Sequence, residues 1–180
     1  MSPTQRLAGV WRRASFGLLF LAYLALLGLT RDWWQAWLGA GYLYPLSWGA
    51  ARLLPLLGVP AVLDASLLDT GICALVMERV VFQVTYDCAG IFALCVYVAA
   101  VLAHPATAAW RAAGILAGGV GLFGYGLVRV VVLALVGHLV PGWLDFLHVY
   151  LLVLMNVGFV VFLWASWVGR AGWRLGEVEP

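Results

Sequence analysis

Four stretches of this chain, residues 15–30, 88–103, 112–128 and 147–168, contain no charged side chain. This pattern constrains the fold more than any other feature, because an α-helix needs about 20 apolar residues to cross a bilayer. Only 10% of the residues are charged and 65% are hydrophobic, whereas a soluble domain has about 25% charged residues. The sequence predicts an all-α integral membrane protein, a multipass helical bundle of about four spans that forms a single domain over residues 1–180.

The positive charges predict the orientation of the chain in the membrane. All of them are arginines, and the net charge of +2 is too small and too scattered for a nucleic-acid-binding surface. Under the positive-inside rule, arginines flanking the spans mark the cytoplasmic side and put both termini there. These arginines are Arg6, Arg12, Arg13, Arg111, Arg170 and Arg174. We therefore expect a protein of the cytoplasmic membrane, with lipid as its main surroundings.

The first apolar run is predicted to be an uncleaved signal anchor. A cleaved signal peptide is the alternative, but such peptides end in a small-x-small site. Here the run is followed by Arg31-Asp32-Trp33-Trp34 instead. The three arginines before the run are expected to stay in the cytoplasm, so Arg31 at the other end of the run is expected on the outer side of the membrane.

Two further apolar segments do not fit a simple crossing. Residues 33–57 contain Arg52 and two prolines and are rich in Trp and Tyr, which are typical of membrane interfaces. An interfacial or re-entrant element is expected there, with an extra crossing as the alternative. Residues 130–140 are too short to span, and joined to 112–128 they give a helix of about 43 Å against a hydrocarbon core of about 30 Å. Such a helix must tilt, break near its glycines, or continue along the interface.

The least membrane-like stretch is residues 61–87. Residues 62–67 and 80–86 are rich in β-branched and aromatic side chains, and the turn-forming sequence Asp-Thr-Gly at 69–71 lies between them. We expect a short extracytoplasmic β-hairpin, with a helix over 72–80 as the open alternative.

Three side chains at the ends of apolar runs offer chemistry: the thiol of Cys88, the guanidinium of Arg129 and the imidazole of His148. Counted from the predicted cytoplasmic ends of their spans, they lie about 24, 27 and 33 Å along their helices at 1.5 Å per residue. All three are therefore expected near the outer boundary of the membrane. Spacing alone leaves their lateral positions open.

Cys88 is the candidate nucleophile. Asp87 is predicted to N-cap a helix that begins here, and unpaired N–H groups in a first turn stabilise a thiolate. Gly90 would let a second backbone approach closely. Asp87 and Gly90 are the candidate substrate-binding residues. The alternative for any membrane cysteine is a small apolar filler, the role expected for Cys73 and Cys95.

Arg129 and His148 are the candidate partners of the thiol. An arginine within an apolar run costs several kcal/mol unless it is paired or snorkels to the interface. Arg129 therefore either snorkels or binds a carbonyl or developing oxyanion. His148 is the candidate acid and base, with His138 as the second choice and an interfacial hydrogen-bonding role as the alternative.

The segment Tyr86-Asp87-Cys88-Ala89-Gly90-Ile91 resembles the Cys-x-Gly motif of exosortases and archaeosortases. The arginine about forty residues later and the histidine about twenty after it follow the same order, and the likeness covers residues 88–167. The first half of the chain resembles the family only in hydropathy. Family members commonly have a polar residue where this chain has Ala89 and asparagine where it has Gly126, and Asp87 is also unusual.

The resemblance implies a membrane cysteine protease or transpeptidase that works through a Cys thioester at the outer face of the membrane. Its substrates would be exported proteins that end in a short motif, a hydrophobic helix and an Arg-rich tail. Within that mechanism Cys88 is the nucleophile, Arg129 supports the site and His148 is the acid and base. The sorting motif, the acceptor and the oligomeric state are not predicted by the sequence.

Two other classes of function compete with this interpretation. A non-catalytic membrane scaffold explains the hydropathy, and a thiol-redox protein would use cysteine pairs. The Cys-x-x-Cys spacing typical of redox proteins is absent, which leaves Cys73 with Cys88 as the one possible outer pair. Three scattered histidines and three scattered cysteines predict no metal site, and no motif predicts a cofactor.

Overall fold

The computed structural model describes residues 3–78 and 80–175, and the side chains of residues 14–35, 37–78 and 80–170. These parts of the chain are mostly helical, with one small sheet between the third and fourth helices. Four arginines used to predict the orientation have side chains outside the described residues, and residues 176–180 also lie outside them. These arginines are Arg6, Arg12, Arg13 and Arg174.

The first part of the chain is helical almost without interruption. The elements are α1 (Pro3–Leu29), α2 (Arg31–Leu38), a π-helical turn (Gly39–Leu43) and α3 (Tyr44–Leu56). Residues 15–29 of the predicted apolar run 15–30 lie within α1, which begins well before them. Proline is tolerated in the first turn of α3, because the N–H that it lacks has no partner within the helix there.

A three-stranded antiparallel sheet follows, with β1 (Ala61–Asp64), β2 (Ile72–Met77) and β3 (Val81–Thr85) in the order β1-β2-β3. The expected hairpin of 62–67 with 80–86 is not formed, because β2 lies between these strands and pairs with both. The open alternative of a helix over 72–80 is wrong for the same reason. Alternate residues of β2 are buried, and this half-buried pattern favours a strand.

The predicted span 88–103 is divided into two helices, α4 (Tyr86–Ala89) and α5 (Ile91–Ala103). Gly90 between them has a φ of 79°, a left-handed conformation that ends a helix. The 13 residues of α5 rise about 20 Å at 1.5 Å per residue. This is shorter than the hydrocarbon core of a bilayer, about 30 Å.

Helix α6 (Ala108–Leu139) runs for 32 residues without interruption. The predicted span 112–128 and residues 130–139 of the predicted interfacial segment 130–140 belong to one helix, as in the open alternative of a joined helix, and its glycines do not break it. Its length is about 48 Å. Thr107 caps its N-terminus, where the hydroxyl oxygen of Thr107 accepts a hydrogen bond from the backbone N–H of Trp110.

The C-terminal part of the chain is a second long helical segment built from four pieces. They are a 3₁₀ turn (Pro141–Trp143), α7 (Leu144–Phe146), a π-helical turn (Leu147–Leu151) and α8 (Leu152–Leu175). Among the described residues, two helical segments are long and apolar enough to cross a membrane, Ala108–Leu139 and Pro141–Arg170. The other two predicted spans correspond to shorter apolar helices, Ala14–Leu29 and Ile91–Ala103.

Two clusters of buried side chains hold these elements together. The first lies where α3 packs against the sheet and α6, and it includes Leu46, Leu75 and Val84. The second lies where α5 contacts α6 and α8, around Tyr97 and Trp167. Helix α1 packs along α5. Because α4 belongs to the first cluster, Cys88 is held between the sheet and α6.

Candidate active site

Cys88 lies in the first turn of α4, directly after the last strand of the sheet. Thr85 is extended, and its Oγ1 accepts a hydrogen bond from the backbone N–H of Cys88 at 3.5 Å. Thr85 is therefore the N-cap, and the prediction of Asp87 in that role is wrong because Asp87 already has a helical position. The thiol-bearing residue is buried, with 8% of its surface exposed.

Gly90 has a different role from the one predicted for it. A Cβ added at Gly90 would meet nothing within 4 Å, so no second backbone approaches it. Its positive φ of 79° is a conformation that residues with side chains adopt at a cost. Gly90 is thus needed to turn the chain from α4 into α5.

The close approach of backbones occurs instead at Gly126 of α6. A Cβ at Gly126 would lie 3.0 Å from the carbonyl oxygen of Ala89 and 3.0 Å from Leu46 Cδ1. A side chain at this position would push α4 away from α6. Because Arg129 follows Gly126 by three residues on the same helical face, this contact keeps Cys88 and its neighbour Ala89 close to the helix that carries the arginine.

His148 is the histidine that lies beside the thiol. Its Nε2 is 4.0 Å from Cys88 Sγ, although the two residues are 60 positions apart in sequence. His148 lies on the π-helical turn Leu147–Leu151, and such turns often occur at functional sites. His138, the other candidate, lies in the last turn of α6 with its Nδ1 buried and without a partner among the described residues.

Arg129 is buried inside the protein and does not snorkel along its surface. Only 5% of its surface is exposed, and its Nε has no hydrogen-bond partner among the described residues. It lies within electrostatic range of His148, which is also within range of Asp145 and Asp87. Since a buried guanidinium nitrogen without a hydrogen-bond partner is costly, Arg129 Nε is suited to donate to a ligand.

A cavity of about 290 Å³ lies next to the thiol-bearing helix, between α1, α2, α4 and α5. Arg31, Gln35 and Asp87 supply its polar side, and the aliphatic and aromatic side chains of α1 and α5 supply the rest. The hydroxyl of Tyr86 donates to the backbone carbonyl of Gln35 at 2.9 Å, which fixes α4 against α2. Asp87 therefore lines this cavity, and the candidate site residues that do not line it are Cys88, Gly90, Arg129 and His148.

Sequence reasoning missed three residues that shape this site: Thr85, Gly126 and Tyr42. Tyr42 lies on the π-helical turn Gly39–Leu43 with 7% of its surface exposed, and its hydroxyl has no partner among the described residues. Nothing in the sequence distinguishes it from the other tyrosines. Thr85 was recognisable, because threonine is a favoured N-cap residue.

The remaining cysteines offer no comparable site. Cys73 is fully buried in the sheet, where burial raises the pKa of its thiol. All three cysteines are free thiols. Within residues 3–78 and 80–175, no three histidine, cysteine or acidic side chains are grouped in a way that would hold a metal ion.

The chain was compared with known families, proteins and structures. No family model matches it, and neither does any curated protein or any solved structure. The functional interpretation therefore depends on the residues and geometry of the site itself.

Proposed function

We propose that this protein is a membrane cysteine transpeptidase or endopeptidase of the exosortase type. The observation that carries the proposal is the 4.0 Å separation of Cys88 Sγ and His148 Nε2. The buried Arg129, whose Nε has no partner among the described residues, lies within electrostatic range of the imidazole. A nucleophile within reach of a base, and a base next to a group that can stabilise charge, is the arrangement that covalent acyl transfer requires.

The proposed topology has four crossings, formed by α1, by α4 with α5, by α6, and by the C-terminal segment that ends in α8. The N- and C-termini lie in the cytoplasm, and the sheet and the site lie at the extracytoplasmic face. Arg111 at the start of α6 and Arg170 near the end of α8 support this orientation under the positive-inside rule. Since α5 is short, the bilayer around it must thin or the residues that flank it must snorkel to the interface.

The proposed reaction begins when the thiol of Cys88 transfers its proton to His148 and attacks the scissile carbonyl carbon. The new C–S bond gives a tetrahedral intermediate, whose oxygen accepts a hydrogen bond from Arg129. As the C–N bond breaks, His148 returns the proton to the leaving amine, and a thioester remains on Cys88. An acceptor amine or water then attacks the thioester and restores the thiol.

The proposed substrate class comes from the resemblance to exosortases. A tail consisting of a motif, an apolar helix and an Arg-rich end would insert beside the spans, with its motif at the outer interface. The cavity beside Asp87 supports this proposal, because its apolar walls accept side chains while Arg31 and Asp87 supply polar contacts to the motif. Whether the acceptor is an amine or water determines if the result is transfer or hydrolysis.

Tail processing in cells tests the proposal directly. A reporter carrying a tail of this type is expressed with the wild-type protein, with Cys88→Ala, or with Cys73→Ala as the matched control thiol. We expect cleavage of the tail with the wild type and with Cys73→Ala, and none with Cys88→Ala at equal protein level. Intact processing by Cys88→Ala would exclude the proposed function. The reporters come from proteins of the same organism that end in a shared motif, an apolar helix and an arginine cluster.

A further inference from the structure

The hydroxyl of Tyr42 is buried without a partner, close to the proposed catalytic residues. With 7% of its surface exposed, Tyr42 is well enclosed, yet its Oη makes no hydrogen bond to any described residue. Most buried polar groups are hydrogen-bonded, so an unpaired hydroxyl needs a reason. A ligand that supplies the missing partner is one such reason.

The Tyr42 side chain packs on α6 beside Phe123 and Gly126. Its ring packs edge-to-face on Phe123, with ring centroids 5.5 Å apart. Its hydroxyl oxygen is 3.6 Å from the position that a Cβ would take at Gly126. Phe123, Gly126 and Arg129 follow one another at intervals of three along α6, so each adjoins the next on the helix surface. The ring therefore lies by the first of these residues and the hydroxyl by the second, one helical turn from the arginine.

The position that a Cβ would take at Gly126 also lies close to the backbone next to the nucleophile. It lies 3.0 Å from the carbonyl oxygen of Ala89, the residue after Cys88. The Tyr42 hydroxyl and the backbone that follows the thiol thus both approach one point on α6. Tyr42 and His148 also share a local feature, since each lies on a π-helical turn, Gly39–Leu43 and Leu147–Leu151. Such turns are costly and recur at functional sites.

We propose that the Tyr42 hydroxyl is a second hydrogen-bond donor, beside Arg129, to the oxygen of the carbonyl that Cys88 attacks. The inference depends on the proposed function and names a further catalytic residue for it. As the carbonyl becomes tetrahedral its oxygen gains negative charge, and donors already in place stabilise that charge without rearranging. Tyr42 remains a neutral O–H donor throughout, and the proton transfers still involve His148 alone.

Two small reagents separate this role from a structural one, and neither requires a known substrate. Acylation of Cys88 by p-nitrophenyl acetate passes through a tetrahedral oxyanion: the C–S bond forms, the C–O bond breaks and nitrophenolate leaves. Alkylation by iodoacetamide displaces iodide at a saturated carbon and forms no oxyanion. Both modifications of Cys88 are followed by mass spectrometry on the full-length protein in detergent, for the wild type, Tyr42→Phe and Tyr44→Phe. Tyr44→Phe is the control, because Tyr44 is exposed and adjacent to the same π-helical turn.

We expect Tyr42→Phe to slow acylation about 100-fold, with alkylation unchanged and with Tyr44→Phe equal to the wild type in both reactions. If Tyr42→Phe leaves acylation unchanged, or slows both reactions equally, the hydroxyl is not an oxyanion donor. An equal loss would instead indicate an effect on the thiol through the Ala89 backbone. If Cys88 of the wild type is acylated no faster than Cys73 and Cys95, the proposed function fails as well, so the two failures are distinguishable. Circular dichroism of each variant confirms that the fold is retained.

Discussion

The thiol of Cys88 and the imidazole of His148 face each other at 4.0 Å across 60 residues of sequence. One is carried by a single turn of helix after a β-strand, the other by a π-helical turn within a long apolar segment. The separation is wider than a strong hydrogen bond, but catalytic contacts in an unliganded enzyme commonly tighten when substrate binds. This relationship leads to the first of four predictions.

Replacing His148 by alanine is expected to lower the rate of tail processing, or of Cys88 acylation, about 100- to 10,000-fold, the usual contribution of a general acid and base. His138→Ala is the matched control, since it removes an imidazole from the last turn of α6. We expect it to change the rate by no more than a few fold. If His138→Ala lowers the rate more than His148→Ala does, the proton transfer is assigned to His138.

Replacing Arg129 by methionine is expected to separate activity from stability. Methionine fills a similar volume and removes a buried charge whose Nε is unpaired, so thermal unfolding in detergent is expected at an equal or higher temperature. Activity is expected to fall about 100- to 1,000-fold, as when an oxyanion donor is lost. A methionine variant that unfolds early, while Arg129→Lys keeps full activity, would show that Arg129 serves stability and not catalysis.

Gly126→Ala is expected to destabilise the protein by about 1–3 kcal/mol through overpacking. The added methyl group would lie 3.0 Å from the Ala89 carbonyl oxygen and from Leu46 Cδ1, and Leu46 is fully buried. Gly124→Ala on the same helix is the control, because a Cβ added at Gly124 would have nothing within 4 Å. That variant gains helix propensity, by up to about 1 kcal/mol. Equal unfolding temperatures for the two variants would contradict the close approach of α4 and α6.

Protein stability is expected to fall in acid through His104, which follows α5. Burial, and then the neighbouring Arg111 guanidinium, lower the pKa of His104 below its usual value of 6.5. The unfolded chain therefore binds a proton at His104 more readily than the folded protein does. The stability that neutral His104 contributes is complete above about pH 6.5 and is lost as the pH falls through the folded pKa. We expect a lower unfolding temperature at about pH 5.5 than at about pH 7.5, with a smaller difference in His104→Gln. The same difference in both proteins would contradict the prediction.

Much of the helical character followed from the distribution of charge. Apart from Thr30, the charge-free runs 15–30, 112–128 and 147–168 lie within helices, because apolar helix-forming residues without interruption leave few alternatives. The boundaries depended on neighbours that the sequence does not reveal. Arg129 looked like the end of a span, but α6 continues for ten residues beyond it to Leu139. A charge inside an apolar run marks an interface only if it is not covered by protein.

The residues of the candidate site were chosen from their types, whereas their contacts could not be predicted from the sequence. The rarity of polar groups in apolar runs singled out Cys88, Arg129 and His148, because such groups are costly there. Their meeting depends on packing between elements distant in sequence, such as Ala89 against Gly126. Tyr42 shows the limit most clearly. Its hydroxyl is unusual only because the fold encloses it without a partner, and an isolated tyrosine in a sequence carries no sign of that.

The left-handed turn at Gly90 has a mechanical consequence. It uncouples the thiol from α5, so that Cys88 is attached on one side to the sheet through Thr85 and on the other to α6 through Ala89. Helix α5 leaves this turn to pack against α6 and α8, while α1 packs along α5 and lines one side of the cavity. We expect a change in bilayer thickness to tilt α1 and to change the width of the cavity, while the sheet and α6 hold the thiol in place.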